Sequence, residues 1–383
     1  TVGFRPRLVT ASAQSTLAPL AGYWRGRAAE LERRGSDAIT NYLDVIRRDP
    51  YDPLAVAARR RLTAPALAPN AVVTGQRLSA SRRTRDLVDA WLLLGESNPL
   101  GRTVRAALAR RLVADRETSP FLRLSRVPTA RWPLWSRARP AATGEEALLA
   151  LGLWGDGAPA ASDLFTRGEA DLAFTAALEL ARAGQVRRSI AMAQGVRDRV
   201  PDRLPTALLP PAFRKALYPL PFADLIRREA RRRDVDPLLL AAILRQASGF
   251  DPQAVRGMGR GLAALTPAVA RRLAARSGMA FAEADDLFRP EVSIALAAAR
   301  LGEIARETGG IPHRMISAWI VSPTSPGGPA GLERVRLWQS ACATPEPEEF
   351  WSLLPDARVR DLGRAIAADW LHYRELYPSA PKP

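Results

Sequence analysis

The residues whose types and spacing could do chemistry gather in one stretch. An apolar run, Leu238 to Leu244, ends in Arg245-Gln246-Ala247-Ser248-Gly249-Phe250-Asp251-Pro252. A glycine-rich loop follows, from Arg256-Gly257-Met258 through Gly261-Leu262-Ala263-Ala264-Leu265-Thr266-Pro267. Carboxylates able to give or take a proton stand further on. Glu283, Asp285 and Asp286 precede Phe288, and Glu291, Glu303 and Glu307 come after it. Read alone, most of these are solvated caps or i,i+4 partners of arginine. His313 and His372 lie far apart, without clustered Cys, Asp or Glu, so neither a metal site nor a cofactor is expected. His372, between Leu371 and Tyr373, reads as a packed helix residue, and Cys342 as a buried structural thiol rather than a nucleophile.

The elements that must position these residues are helical. From Ser15, Leu17, Leu20, Ala21, Trp24, Ala28 and Leu31 recur at steps a helix face can bury, and Gly35 breaks the run. Ala38, Tyr42, Val45 and Ile46 make a second stripe that stops at Asp49-Pro50, and Pro53 to Leu62 a third, short helix. Helix, glycine turn and helix in succession are the mark of stacked helical hairpins. Residues 65–81 read as a Pro/Ala/Asn-rich connector. Leu87, Val88, Trp91 and Leu92 open another helix, and Val104, Leu108 and Leu112 continue the theme. Trp132, Trp135 and the prolines 128, 133 and 140 predict an irregular segment, followed by helices over 144–153, 169–183 and 186–197 with Gly184 at the last turn. In the second hairpin Phe174, Leu178 and Ala181 mark the apolar face. No strand-period run of useful length occurs, so the expected class is all-α.

Pro201, Pro205, Pro210, Pro211, Pro219 and Pro221 mark a boundary. Two domains are expected, 1–205 and 206–383, which suits a chain of 383 residues. In the second, Phe222, Leu225, Ile226 and Ala230 face inward from a first helix. Asp236-Pro237 then starts the apolar helix that ends at the site.

Composition narrows the classes of function. The chain is 47% hydrophobic and has one cysteine, which excludes an internal disulfide framework. No apolar run approaches the ~18 residues that would span a bilayer. The formal charge is +17, yet lysine appears only at 215 and 382. Such arginine-dominated basicity in a chain rich in Ala, Pro and Gly reads as composition rather than as a binding surface. With no helix-turn-helix, zinc spacing or RNA-binding aromatic pattern, nucleic acid is not an expected partner. The start at Thr1, without a charged-then-apolar leader, reads as a processed or trimmed product.

The motifs resemble those of the soluble lytic transglycosylases, whose catalytic domain is goose-lysozyme-like and follows a helical superhelix. Tyr23-Trp24-Arg25-Gly26-Arg27-Ala28, Gly35, Asp49-Pro50-Tyr51 and Ala57 to Leu62 resemble a superhelix repeat. Leu217 to Phe222 resembles the entry to the catalytic domain, and residues 217–374 follow that domain throughout. The resemblance implies an all-α chain, an amino-terminal arc of helical hairpins and then a lysozyme-like domain. It also implies a peptidoglycan substrate and an exported protein of the periplasm or cell envelope.

The family's site motif, Arg-Gln-Glu-Ser-x-Phe-Asp-Pro, meets Ala247 where its single catalytic glutamate stands. That carboxyl is the general acid and then the base that closes a 1,6-anhydro ring, a role alanine cannot fill. The glutamine of Gly-Leu-Met-Gln-Leu-x-Pro falls on Ala264, the preceding loop Val255 to Gly259 is one residue short and lacks the family's serine unless Arg256 replaces it, and Asn-Ile-x-x-Gly falls on Ser293-Ile294-Ala-Leu-Ala297. Ala-Tyr-Asn-Ala-Gly falls on Ala318-Trp319-Ile320-Val321-Ser322. Packing motifs persist at Leu287-Phe288-x-Pro290, Ala298-x-x-Leu301 and Asp361 to Arg374. Cleft polar groups are replaced while packing residues stay.

The expectation is therefore an inactive relative that binds peptidoglycan glycan strands or cell-wall machinery partners. Its residual cleft would comprise Gln246, Ala247, Ser248, Phe250, Arg256, Met258, Gly261, Ala264 and Trp319, with no catalytic residue. One alternative is an active enzyme with a relocated acid among Glu283, Asp285, Asp286 and Glu291. Another is a scaffold whose cleft is filled by Met258, Trp319 and Ile320.

Overall fold

A computed structural model describes residues 13–126, 170–321, 329–342, 344 and 346–378. The expected irregular segment with Trp132 and Trp135, the expected helix over 144–153 and Ser322 lie outside these residues. Among the described residues the architecture is all-α, with a short antiparallel hairpin pairing Val255 with Arg260 and Arg256 with Gly259, and a bridge between Arg260 and Leu265. The chain forms two compact units. One comprises residues 1–114, 205–207 and 336–368, the other 115–204, 208–335 and 369–383. Among the described residues no helix is long and apolar enough to cross a membrane.

The first unit begins with helices Ala13–Leu31, Gly35–Arg48 and Pro53–Thr63. Ala38, Tyr42, Val45 and Ile46 are all buried, as their spacing requires. The first helix buries a face shifted from the expected one: Leu20 and Trp24 pack partly buried against the core, but Ala21 and Ala28 are exposed and Leu31 is 77% exposed, while Gly22, Tyr23, Gly26 and Ala29 are buried. Small residues and a tyrosine outcompete the leucine stripe because they let the two helices close up. A Cβ at Gly26 would lie 2.6 Å from the Tyr42 ring. The Tyr23 hydroxyl is buried yet satisfied, donating to Glu349 Oε1 at 2.5 Å. Burial and then that hydrogen bond hold its pKa far above the usual phenol range.

The expected connector over 65–81 contains a helix, Ala68–Ser79. Pro69 sits in its first turn, where the missing N–H costs nothing. Gly75 lets the helix approach Leu94, whose Cγ would be 2.9 Å from an added Cβ. Helices Thr84–Leu94 and Pro99–Ala114 bury Leu87, Val88, Trp91, Val104, Leu108 and Leu112.

The second unit holds helices Ala170–Arg182 and Val186–Arg197, joined at Gly184 with φ +76°. Phe174 is buried, whereas Leu178 and Ala181 are half-buried and Leu180 is buried instead. Ala223–Arg232 then leads to the central helix Pro237–Ser248. Every residue from Leu238 to Leu244 is buried. Asp236 caps it, its Oδ1 accepting from Leu238 N at 2.7 Å, while Oδ2 accepts from Trp370 Nε1 at 2.8 Å. Gly249 ends it in the left-handed region. Helices Pro267–Ser277, Pro290–Thr308 and Pro312–Val321 follow.

Close approach at Gly26 gives a direct check. Gly26→Val should lower stability by about 1–3 kcal/mol, an overpacking cost, read as a lower denaturation midpoint with helical content retained.

Candidate functional site

The site is the carboxyl end of the central helix together with the loop that follows. Arg245 is buried, and its Nη1 lies 2.9 and 2.8 Å from the two Asp369 oxygens. Its Nη2 donates to the Leu217 carbonyl at 3.1 Å, and the guanidinium lies 4.7 Å from the Tyr218 ring centre. Burial opposes the arginine's charge, but Asp369 outweighs it and its pKa rises. Gln246 Nε2 donates to the same carboxylate at 2.7 Å. Asp369 is thus held in three hydrogen bonds and has no lone proton-shuttling role.

Ala247 is half-buried and presents only a methyl group. Ser248 is turned inward, its hydroxyl donating to the Leu244 carbonyl at 3.2 Å within its own helix. Phe250 is 1% exposed and has φ +60°, so it is part of the core. Arg256 reaches back from the short hairpin and donates from Nη1 to the Gln246 carbonyl at 3.3 Å. Met258 at the hairpin turn is 78% exposed, whereas Trp319 and Ile320 are buried on the helix Pro312–Val321. Trp319 sits beneath Arg300, whose guanidinium is 4.2 Å from its ring and donates to its carbonyl at 2.8 Å.

The glycine-rich loop is pinned to its neighbours. Gly261 has φ +70°, and a Cβ there would lie 1.8 Å from the Leu287 carbonyl oxygen, so only glycine fits. The Ser293 hydroxyl, from the helix Pro290–Thr308, accepts from Ala263 N at 3.4 Å. Ala264 is half-buried with φ +48°, and its carbonyl would be 2.3 Å from a Cβ on Gly259. The structure therefore brings Gln246, Ala247 and Arg256 together at one helix end. It places Gly261 and Ala264 in the loop beside them and leaves Ser248, Phe250 and Trp319 in the interior.

Three carboxylates that follow the central helix, Asp251, Asp285 and Asp286, are already engaged. Asp251 accepts from Gln253 N at 3.0 Å and lies 3.6 Å from Arg187 Nη1. Asp285 pairs with Arg260 at 2.5 Å. Asp286 accepts backbone N–H groups of Ala282 and Glu283, which hold its pKa below the usual carboxylate range. An acid so stabilised as its anion is a poor proton donor at neutral pH. Glu291 is exposed on the first turn of its helix. Among the described residues no group of three or more His, Cys, Asp or Glu is placed to hold a metal. His372 is buried and stacks on Tyr218 at 3.9 Å. Cys342 is buried and donates to the Leu353 carbonyl.

Residues 224–323 match the family model of the transglycosylase SLT domain. That span holds the central helix, the hairpin, the pinned loop and Trp319. No curated protein matches the sequence. Among solved structures, the chain is similar to an inactive mutant of the lytic transglycosylase Slt from Pseudomonas aeruginosa. The identity is 17% and the TM-score 0.55, over 96% of this chain and 54% of that one. It is also similar to the 70 kDa soluble lytic transglycosylase of Escherichia coli, at 16% identity and TM-score 0.50, over 96% of this chain and 67% of that one. The chain thus spans about half to two thirds of these enzymes' lengths, and the likeness establishes the all-α fold of this class.

Within the SLT match, Ala247 presents a methyl where the motif resemblance implies an acid, and Arg256 stands in the shortened loop where the resemblance implies a serine. Arg187 and Asp369 lie outside the match; Asp369 falls in the packing motif Asp361 to Arg374, and Arg187 carries no motif of its own. For Asp369 a signal did exist, since the lone arginine at the end of a buried apolar helix demands a buried carboxylate. Arg187 gives none, being one of many arginines on a helix surface.

Two outcomes are expected. Asp369→Asn leaves Arg245 buried without its counter-charge and should cost about 3–5 kcal/mol in denaturant unfolding. His313 is held neutral by burial first and Arg314 second, with its pKa lowered to about 4. Its folded pKa lies below the ordinary histidine value, so the unfolded chain binds the proton more readily. Stability should be full above about pH 6.5 and fall as pH drops toward 4, and His313→Gln should flatten that slope in urea titrations.

Proposed function

We propose that this chain is a catalytically inactive lytic-transglycosylase-like protein of the bacterial cell envelope, exported to the periplasm, that binds peptidoglycan glycan strands. Cell-wall machinery proteins are the other class of partner this reading admits. The observation that carries it is Ala247: a helix end held by Arg245, Gln246 and Asp369 in the manner of an active-site frame, with a methyl group where the acid would stand. General acid–base catalysis is commonly worth ~10²–10⁴-fold, and here one position would supply all of it. Arg256 adds a second obstacle. Glycosidic cleavage passes through a cationic, oxocarbenium-like state, and a guanidinium hydrogen-bonded beside Ala247 opposes positive charge there.

The ligand-facing surface in this reading is Gln246, Ala247, Arg256, Met258 and Ala264, all at least partly exposed. Ser248, Phe250, Gly261 and Trp319 support it from beneath. The proposed division is a helical-repeat domain over 1–205 and a lysozyme-like domain over 206–383, while the compact units assign 115–204 to the second and 336–368 to the first. Of the three residues of the filled-cleft alternative, Met258 is exposed and takes no part in a plug, while Trp319 and Ile320 are buried.

Pelleting with purified peptidoglycan tests the binding. The intact protein should sediment with the polymer, and Met258→Asp should reduce the bound fraction severalfold while leaving the unfolding transition unchanged. Failure of the wild-type chain to pellet contradicts glycan binding and leaves a protein partner as the reading.

A further inference from the structure

Two arginines from separate elements converge on the carboxyl end of the central helix. Arg256 donates to the Gln246 carbonyl at 3.3 Å. Arg187, from the helix Val186–Arg197, packs its side chain on Gly249, with Cγ 3.1 Å from where a Cβ would stand. Its Nη1 lies 3.6 Å from Asp251 Oδ2. Both guanidinium groups thus serve the turn between Gln246 and Asp251. Among the described residues no carboxylate pairs with Arg256. Partial burial first and the charge of Arg187 second draw the Arg256 pKa below the ordinary arginine value.

A helix carboxyl end attracts cations, and that accounts for one arginine. It does not account for two that repel each other across a turn with a single aspartate between them. Two guanidinium groups and Asp251 leave one uncompensated positive charge, next to a residue that presents only a methyl group. A monoanion satisfies this arrangement. A planar carboxylate matches the guanidinium fork, whereas a doubly charged phosphate would overcompensate.

We propose that Arg187 and Arg256 form a receptor for the carboxylate of an acidic saccharide, seated over Ala247. This rests on the glycan-binding reading and gives it a chemical selectivity. The ligand's own carboxylate takes the place beside Arg256 that a protein carboxylate at 247 would otherwise fill. The helix end becomes a recognition site for an anionic group rather than a source of protons.

The test uses the intact protein with ¹⁵N-labelled arginine, following the Nε–H signals by NMR. N-acetylmuramic acid should shift the Arg187 and Arg256 signals saturably, and its methyl ester should not. Arg256→Ser and Arg187→Ala should each weaken binding of the acid about tenfold, and Arg187→Ala should leave any binding of neutral N-acetylglucosamine unchanged. Equal response to acid and ester overturns the proposal, as does no response to either. Inorganic phosphate displacing the acid at lower concentration overturns the carboxylate assignment. If the protein pellets with peptidoglycan while the arginine signals ignore the acid, only this inference fails. If it does not pellet, the glycan reading fails with it.

Discussion

The buried ion pair of Arg245 and Asp369 is the constraint on which the site depends. Desolvating two charges is expensive, and such a pair is weak evidence for net stability. Its geometry is what matters here. Asp369 also takes the Gln246 amide, and Arg245 also takes the Leu217 carbonyl beneath the Tyr218 ring. Three separate partners fix the two residues that precede Ala247. Rotation of that helix end by one residue would leave charges buried and unpaired, so its direction is specified far more sharply than apolar packing alone would require.

In the proposed function the frame and the chemistry have separated. Residues that hold the helix end, cap it at Asp236 and pin the loop through Gly261 and Ser293 form a consistent network. The groups that face outward are a methyl at 247, a guanidinium at 256 and an exposed methionine at 258. Such a surface can bind and orient, and it has no group poised to donate a proton. The electrostatic sign of the turn, positive by one charge, is the opposite of what a cationic transition state needs.

Much of the fold was legible in the sequence. The buried stripe Ala38, Tyr42, Val45 and Ile46, the turn at Gly184 and the apolar helix after Asp236-Pro237 follow from periodicity and capping alone. The first helix misled because leucines at helical spacing suggested a face. The face actually buried is made by Gly22, Tyr23, Gly26 and Ala29, whose value lies in close approach rather than hydrophobicity. Residues 68–79 misled because proline and asparagine weaken a helical pattern, yet Pro69 falls in the one turn that tolerates it. At the site, the position and identity of Ala247 could be read from its flanking motif. The convergence of Arg187 and Asp251 on that turn could not, because nothing in the order of residues brings position 187 to position 251.

Whether this helix end has lost catalysis, as proposed, is decided by exhaustive incubation of the purified protein with peptidoglycan, followed by mass spectrometry for 1,6-anhydro products. An inactive protein yields no product above that of a heat-denatured control. Release of anhydro-muropeptides that grows with protein concentration and survives repurification would contradict the proposal.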